Sequence, residues 1–232
     1  MMMQTNTQFP SNLIQLLNNS QYMKKTEKGT FLFQEDELAN ELFVIISGKV
    51  QISKMIPDGR ELTIRMCKEG DLIGEVPLFD QPQKYMLNAK VIENGQVAVF
   101  DKQELEKKLG ENHQLALEFM KWLNHQYRKN QTKFRDLVLN GKKGALYSTL
   151  IRLSNSYGEP CEKGIFITIP ITNQELANFC GTSREVVNRM LSELRKQNII
   201  TIDKSYITIH DLNYLKVEID CENCPIEICN ID

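Results

Sequence analysis

The segment TNQELANFCGTSREVVNRMLSELRKQNIITID, residues 172–203, constrains the fold more tightly than any other part of the chain. Thr172 is a helix cap and Glu175, three residues on, completes a capping box. Leu176, Ala177 and Cys180 then fall on one inward face. Gly181 permits a tight turn, and Thr182 or Ser183 caps a second helix. That helix turns Val186 or Val187, Met190, Leu191 and Leu194 inward. Two short helices joined through a glycine form a helix-turn-helix, and the strands NIITID and SYITI beyond it form a wing. Arg184, Glu185, Asn188 and Arg189 occupy the solvent side of the second helix's first turns, where a recognition helix meets base edges. Arginine bonds guanine O6 and N7 bidentately, and glutamate accepts from cytosine N4. Together with Thr182 and Ser183 these residues make up the expected DNA-reading face.

Upstream, residues 111–139 read as one long helix without proline, bracketed by Gly110 and Gly141. Ala116, Met120, Leu123, Tyr127, Asn130, Phe134 and Leu137 recur at alternating spacings of four and three, the a/d seam of a coiled coil. The alternative is an amphipathic helix packed on its own domain. The seam is narrow and its outer face basic and polar, which favours a two-fold homodimer along this helix. Asn130 lies mid-seam, where pairing with its twin fixes register.

Residues 29–101 read as short strands with turns. GTFLFQEDE alternates Phe31 and Phe33 with polar neighbours; ELFVIISGKVQISKMI is β-branched; Pro57-Asp58-Gly59 turns the chain and RELTIRMC returns it. Many such strands imply a sandwich or barrel. Before them, Ser11 is placed to cap a short helix bearing Leu13, Ile14, Leu16 and Leu17. The organisation expected is therefore a β-domain over 1–110, a dimer helix over 111–139, a winged helix-turn-helix over 140–219 and a tail over 220–232.

Charge follows these blocks. Residues 1–110 hold 13 Lys/Arg against 15 Asp/Glu, 111–139 hold 5 against 3, 140–219 hold 10 against 8, and 220–232 hold none against 4. The net charge of −2 excludes a generic polyanion coat but leaves a basic face open. With 41% hydrophobic and 25% charged residues, the 232-residue chain is globular rather than fibrous or disordered. No apolar run approaches a membrane span, and MMMQTNTQFP lacks the basic and apolar regions of a secretion signal, so a cytoplasmic protein is expected.

Six cysteines are unevenly placed. Cys67, Cys161 and Cys180 are scattered among apolar neighbours and read as buried core fillers. Cys221, Cys224 and Cys229 crowd the tail, which as a terminal segment has little core to receive them. Their spacing, C-x2-C-x4-C, lets three thiolates wrap one metal centre, and soft sulfur selects zinc, copper(I) or iron–sulfur clusters. Three cysteines leave one coordination position to another ligand.

A β-roll, a dimer helix and a winged helix-turn-helix, in that order, resemble the Crp/Fnr transcription regulators over roughly residues 20–219. The pieces that carry the resemblance are ISGKVQI, GDLIGEVPLF and SREVVNRML. It implies an α+β fold with a cyclic-nucleotide-binding-like β-roll. It also implies that Arg184, Glu185 and Arg189 read a TGTGA-type half-site in a TGTGA-N6-TCACA-like palindrome, and that the protein contacts RNA polymerase. Cyclic-AMP-binding members grip the phosphate with an Arg-Ser or Arg-Thr pair. Here Glu75 is present, but Lys84-Tyr85 stands where that pair would lie, and lysine offers a point charge rather than a fork.

The tail is similar to that of Bacillus-type Fnr proteins, whose cysteine cluster is C-terminal. The resemblance implies an oxygen-sensing [4Fe–4S] cluster on Cys221, Cys224 and Cys229, with an aspartate completing the set. Asp136 is the best match, with Asp220, Asp232, Glu222, Glu227 and His210 as rivals. Two further readings stay open: a Crp/Fnr regulator answering to a cyclic nucleotide or haem, and a structural zinc tail. An enzyme is not expected, since the chain lacks a P-loop, G-x-G-x-x-G, G-x-S-x-G or a paired acid/base set.

Overall fold

The computed structural model describes residues 22–57, 59–74 and 76–231. The helix expected from Ser11, together with Asp58, Glu75 and Asp232, lies outside the described residues. The chain forms two compact units, one drawn mainly from residues up to Gln126, the other built on Tyr127–Ile231.

The first unit is an antiparallel sheet of β1 (Tyr22–Thr26), β2 (Phe31–Phe33), β3 (Glu41–Met55), β4 (Glu61–Cys67), β5 (Leu72–Ile73) and β6 (Asn88–Asp101). Its spine is β3 against β6, with Val44 opposite Ala98 and Val50 opposite Val91. β1 and β2 pair with β6, and β4 and β5 with β3. Midway along the spine the register slips around Ser47–Lys49. There a Cβ on Gly95 would stand 2.0 Å from the Ser47 carbonyl oxygen, so only glycine admits this close approach. The expected alternation in β2 fails. A bulge between Phe31 and Phe33 leaves Phe31 exposed and sends Phe33 into the core, where it stacks on Tyr85 with ring centroids 3.9 Å apart.

Helix α1 (Lys102–Glu111) follows directly, its N-terminus capped by the Asp101 carboxylate, which accepts from the Gln103 and Glu104 amides. It runs through Gly110, so that glycine does not bracket the next helix. Asn112 ends α1, and its side chain accepts from the Leu115 amide to start α2 (His113–Tyr157).

Helix α2 extends well past the expected end at 139. It breaks once, at Gly141, whose φ of 57° and ψ of −149° lie in a region essentially reserved for glycine. Its first turns bury Leu115 and Phe119 in the first core. Its final stretch buries Leu146, Leu150, Ile151 and Leu153 in the second. The hydrophobic run after Gly141 thus supplies the central helix of the second unit.

Around that stretch pack α3 (Asn173–Phe179), α4 (Arg184–Lys196), α5 (Leu212–Val217) and a sheet ordered β7-β8-β10-β9. Its strands are β7 (Gly158–Cys161), β8 (Gly164–Ile167), β9 (Ile200–Asp203) and β10 (Tyr206–Ile209). Lys204 and Ser205, both at positive φ, form the two-residue turn of the β9–β10 wing. Val187, Leu191 and Leu194 are the buried face of α4, so Val187 rather than Val186 points inward.

The bend should be costly to perturb. A Cβ at Gly141 meets no neighbour, so Gly141→Ala pays only for backbone strain. It should destabilise the second unit by about 1–3 kcal/mol in urea unfolding. Gly110→Ala, also in open space but inside a helix, should instead stabilise by about 0.4–1 kcal/mol.

Candidate metal centre and nucleic-acid interface

Twelve residues of straight helix would hold Asp136 and Ser148 about 18 Å apart. The bend at Gly141 folds the two stretches of α2 together, and the Ser148 hydroxyl donates to Asp136 Oδ2 at 2.6 Å. A glycine at 144 makes this possible: a Cβ there would stand 2.8 Å from the Asp136 carbonyl oxygen.

Asp136 is buried and doubly paired. Arg135 Nη2 and Nε donate to Oδ1 at 2.8 and 3.1 Å, and Arg152 Nη2 donates to Oδ2 at 3.2 Å. Arg152 is itself only 2% exposed. Its Nη2 also reaches Thr132 Oγ1 at 3.0 Å, its Nε reaches Ser148 Oγ at 3.1 Å, and its Nη1 reaches the Ile228 carbonyl oxygen at 3.1 Å. Arg135 bridges the other way, pairing with Glu222. Burial works against the Arg135 charge, but Asp136, Cys224 and Glu222 outweigh it and raise its pKa.

These contacts correct the expectation that the tail has no core. Cys229 and Ile231 are buried in the second core, with Cys221 and Cys224 packed at its edge, and Ile228 is buried beside them in sequence. The tail lies along one face of α2: Arg152 holds the Ile228 carbonyl, Asn155 Nδ2 donates to the Cys229 carbonyl at 2.6 Å, and Ser156 Oγ accepts from the Ile231 amide at 3.1 Å. Residues i, i+3 and i+4 share a helix face, which is why 152, 155 and 156 act together. Burial pushes the Cys229 thiol pKa up, Arg152 opposes it, and Cys221, Cys224 and Asp136 push it further up. The other three candidate donors therefore all act on Cys229.

Among the described residues, no three His, Cys, Asp or Glu side chains stand close enough to hold one metal ion. The donor chemistry nevertheless fits a thiophilic centre: three thiols and a carboxylate, with two guanidinium groups beside them. A metal on Asp136 has to share or displace its bonds to Arg135, Arg152 and Ser148. Of the rivals, Glu222 is engaged by Arg135. His210 Nδ1 lies 2.6 Å from the Lys163 carbonyl oxygen, in the β7–β8 turn, and Asp220 is exposed at positive φ. Sequence reading missed Arg135, Arg152 and Ser148; the one signal available was an arginine directly before the candidate aspartate in a helical stretch.

The second site is α4. Ser183 is its cap, its hydroxyl accepting from the Val186 amide. Arg184, Glu185, Asn188 and Arg189 are exposed on its first two turns. Asn173 of α3 donates to Asn188 Oδ1 at 3.1 Å, fixing that side chain. The Glu185 backbone amide and the Ser183 hydroxyl hold the Glu185 carboxyl below its ordinary range. Thr182 departs from the expected face: it is buried. On α2, Met120, Leu123, Tyr127, Asn130, Phe134 and Leu137 are all exposed, and Ala116 is half-buried against the first core. Leu117, Val138 and Leu139 add exposed apolar surface outside the expected spacing.

Two family models match the chain, a cyclic nucleotide-binding domain over residues 23–112 and a Crp-like helix-turn-helix domain over 144–217. The chain is 54% identical over 223 residues to the "Anaerobic regulatory protein" of Bacillus subtilis, covering 96% of this chain and 94% of that protein. The chain belongs to the Crp/Fnr family of DNA-binding transcription regulators. This Crp/Fnr protein is also 27% identical to the "CRP-like cAMP-activated global transcriptional regulator" of Mycobacterium tuberculosis, over 79% of this chain and 82% of the relative. Its fold matches CooA from Carboxydothermus hydrogenoformans with a TM-score of 0.73 at 19% identity, covering 90% and 89% of the two chains. It also matches the "c-di-GMP Responsive Global Regulator CLP" of Xanthomonas campestris at 0.72 and 21%, covering 87% of this chain and all of that one. These two likenesses carry the fold alone.

In the β-roll of this Crp/Fnr protein, Lys84 points to solvent beside Asp36, 3.8 Å away. Tyr85 turns inward, stacks on Phe33 and donates from its hydroxyl to the Glu41 carbonyl at 2.5 Å. The pair therefore presents no joint phosphate grip.

The scattered cysteines divide differently from expectation. Cys67 and Cys180 are buried, but Cys161, on the outer strand β7, is exposed. Burial pushes the Cys180 thiol up to about 12, although Thr149 opposes it. At pH 8 Cys180 is therefore protonated as well as covered. Iodoacetamide at that pH should modify Cys161 in the native chain and spare Cys67 and Cys180 until denaturant is added, as read by peptide mass spectrometry.

Proposed function

We propose that this Crp/Fnr protein is an oxygen-responsive regulator that binds DNA as a homodimer while Cys221, Cys224, Cys229 and Asp136 hold a [4Fe–4S] cluster. The observation that carries the reading is the convergence of Asp136 with the cysteine tail through Arg135 and Arg152. The printed name of the Bacillus subtilis relative supports the anaerobic setting. When bound, such a cluster supplies a crosslink that oxygen destroys. The rest is the work of the chain. The three thiols belong to a segment that packs into the same core as the recognition helix, and Asp136 lies in the helix that carries the exposed seam. Joining them couples the DNA-binding unit to the dimer helix. Ionised, the donor set carries four negative charges, three thiolates and one carboxylate. Arg135 and Arg152 neutralise part of that charge in a partly buried site. The coupling acts as a switch if the joined and unjoined poses differ by a few kcal/mol.

The proposed DNA sites are TGTGA-N6-TCACA-like palindromes, read by Arg184, Glu185, Asn188 and Arg189, with Ser183 at the helix start. RNA polymerase is the partner that family membership suggests. The Lys84–Tyr85 arrangement favours the tail, not the β-roll, as the sensing element.

Replacing Cys221, Cys224 or Cys229 singly with Ser should abolish iron and sulfide uptake and anaerobic palindrome binding. Asp136→Ala should shorten the lifetime of the loaded state. Loaded protein whose DNA affinity ignores brief air exposure would point to zinc, which has no redox chemistry, and would overturn the oxygen reading. Arg189→Ala should cost about 1–3 kcal/mol on the palindrome and relax preference at one guanine. Equal loss on scrambled DNA would make Arg189 a phosphate contact instead. Leu123→Glu places like charges across the seam and should give monomers by light scattering; an unchanged dimer mass would locate the interface elsewhere.

A further inference from the structure

The cysteine tail is seated along α2. Cys229 and Ile231 place side chains in the second core and Glu222 pairs with Arg135, while the main-chain anchors are the carbonyls of Ile228 and Cys229 and the amide of Ile231. Arg152 differs from the other two anchors. Unlike Asn155 and Ser156 it also bonds Asp136, which Arg135 joins to the tail separately through Glu222, and it spans the bend, holding Thr132 before Gly141 while itself lying after it. A guanidinium with its donors in a fixed fork can serve four acceptors in this way, and a lysine ammonium cannot.

We infer that Arg152 is a positioning residue that docks the cysteine tail beside Asp136 through protein contacts alone. The inference rests on the metal-centre reading for its purpose but not for its test. A buried arginine bonded to a buried carboxylate survives only if both are fully satisfied. Here the Ile228 carbonyl completes the set, so releasing the tail leaves Arg152 a donor short in a dry site. Tail docking and the ion pair therefore stand or fall together. Without this clasp, every metal-binding event would have to order the tail as well, and its entropy cost would weaken uptake.

Cys229 and Cys180 lie in the same core, one on the tail and one on the helix-turn-helix. This makes their alkylation rates an internal comparison. The parent should be the full-length metal-free chain carrying Cys161→Ser, held anaerobically at fixed pH. Arg152→Lys keeps a positive charge beside Asp136 but loses the fork. In that variant Cys229 should alkylate about tenfold faster, a factor corresponding to about 1.4 kcal/mol of local opening, with Cys180 unchanged. Parallel acceleration at both cysteines would show that Arg152 merely supports the core, and unchanged rates at both would show that the tail docks without it; either overturns the inference. Ferrous iron and sulfide uptake by the parent, followed by visible absorbance, tests the metal-centre reading separately. Uptake with no Cys229 effect in Arg152→Lys overturns the clasp alone. Faster Cys229 alkylation with no uptake by the parent overturns the cluster alone.

Discussion

Burying a carboxylate costs several kcal/mol unless cations and donors meet it. Asp136 meets two arginines and a serine hydroxyl, and those partners come from both sides of a break in one helix. The break at Gly141 and the pairing at Asp136 are thus one constraint. The reversed path lets the second stretch of α2 face the first, and the ion pair fixes the angle at which it does so. Everything downstream inherits that geometry. The stretch after the bend is the central helix of the second core, against which α3, α4 and the wing pack. Its outer face, at 152, 155 and 156, is the berth for the cysteine tail.

The arrangement brings distant parts of the sequence into one electrostatic neighbourhood. Asp136 and Cys224 both favour the charged form of Arg135, and Cys229 lies under the field of Arg152. A family defined by its β-roll and helix-turn-helix hosts many inputs, and the site rather than the fold decides which one. In this chain the β-roll position flanked by Lys84 and Tyr85 is spent on packing, and the chemistry-bearing residues are concentrated in the second unit.

The helix-turn-helix was legible because its signals are local. Thr172 and Glu175 close a capping box, Gly181 takes positive φ between the helices, and the 3.6-residue period of α4 selects its buried face. The β3–β6 spine was legible for a similar reason, its long β-branched runs. Phe31 and Phe33 misled because a bulge shifts the register between them, and alternation is blind to a bulge. Gly141 was recognised as an end when it is a turn inside a longer element; glycine marks both. The tail was misjudged most. Ile228, Cys229 and Ile231 look like a terminal scrap in sequence, and only contacts some seventy-five residues distant reveal their berth. The same distance hid Arg152, a single arginine in an apolar stretch.

After the bend, α2 holds the tail's main chain at two carbonyls and an amide, while the Cys229 and Ile231 side chains fill the core beside it. Side chains along the tail are then free to vary wherever they do not carry a thiol or fill the core. Its length is not free. One residue inserted between Cys224 and Cys229 would shift the Ile228 and Cys229 carbonyls off Arg152 and Asn155 and turn a thiol away from its neighbours. In this segment the count of residues is under stricter physical constraint than their identity.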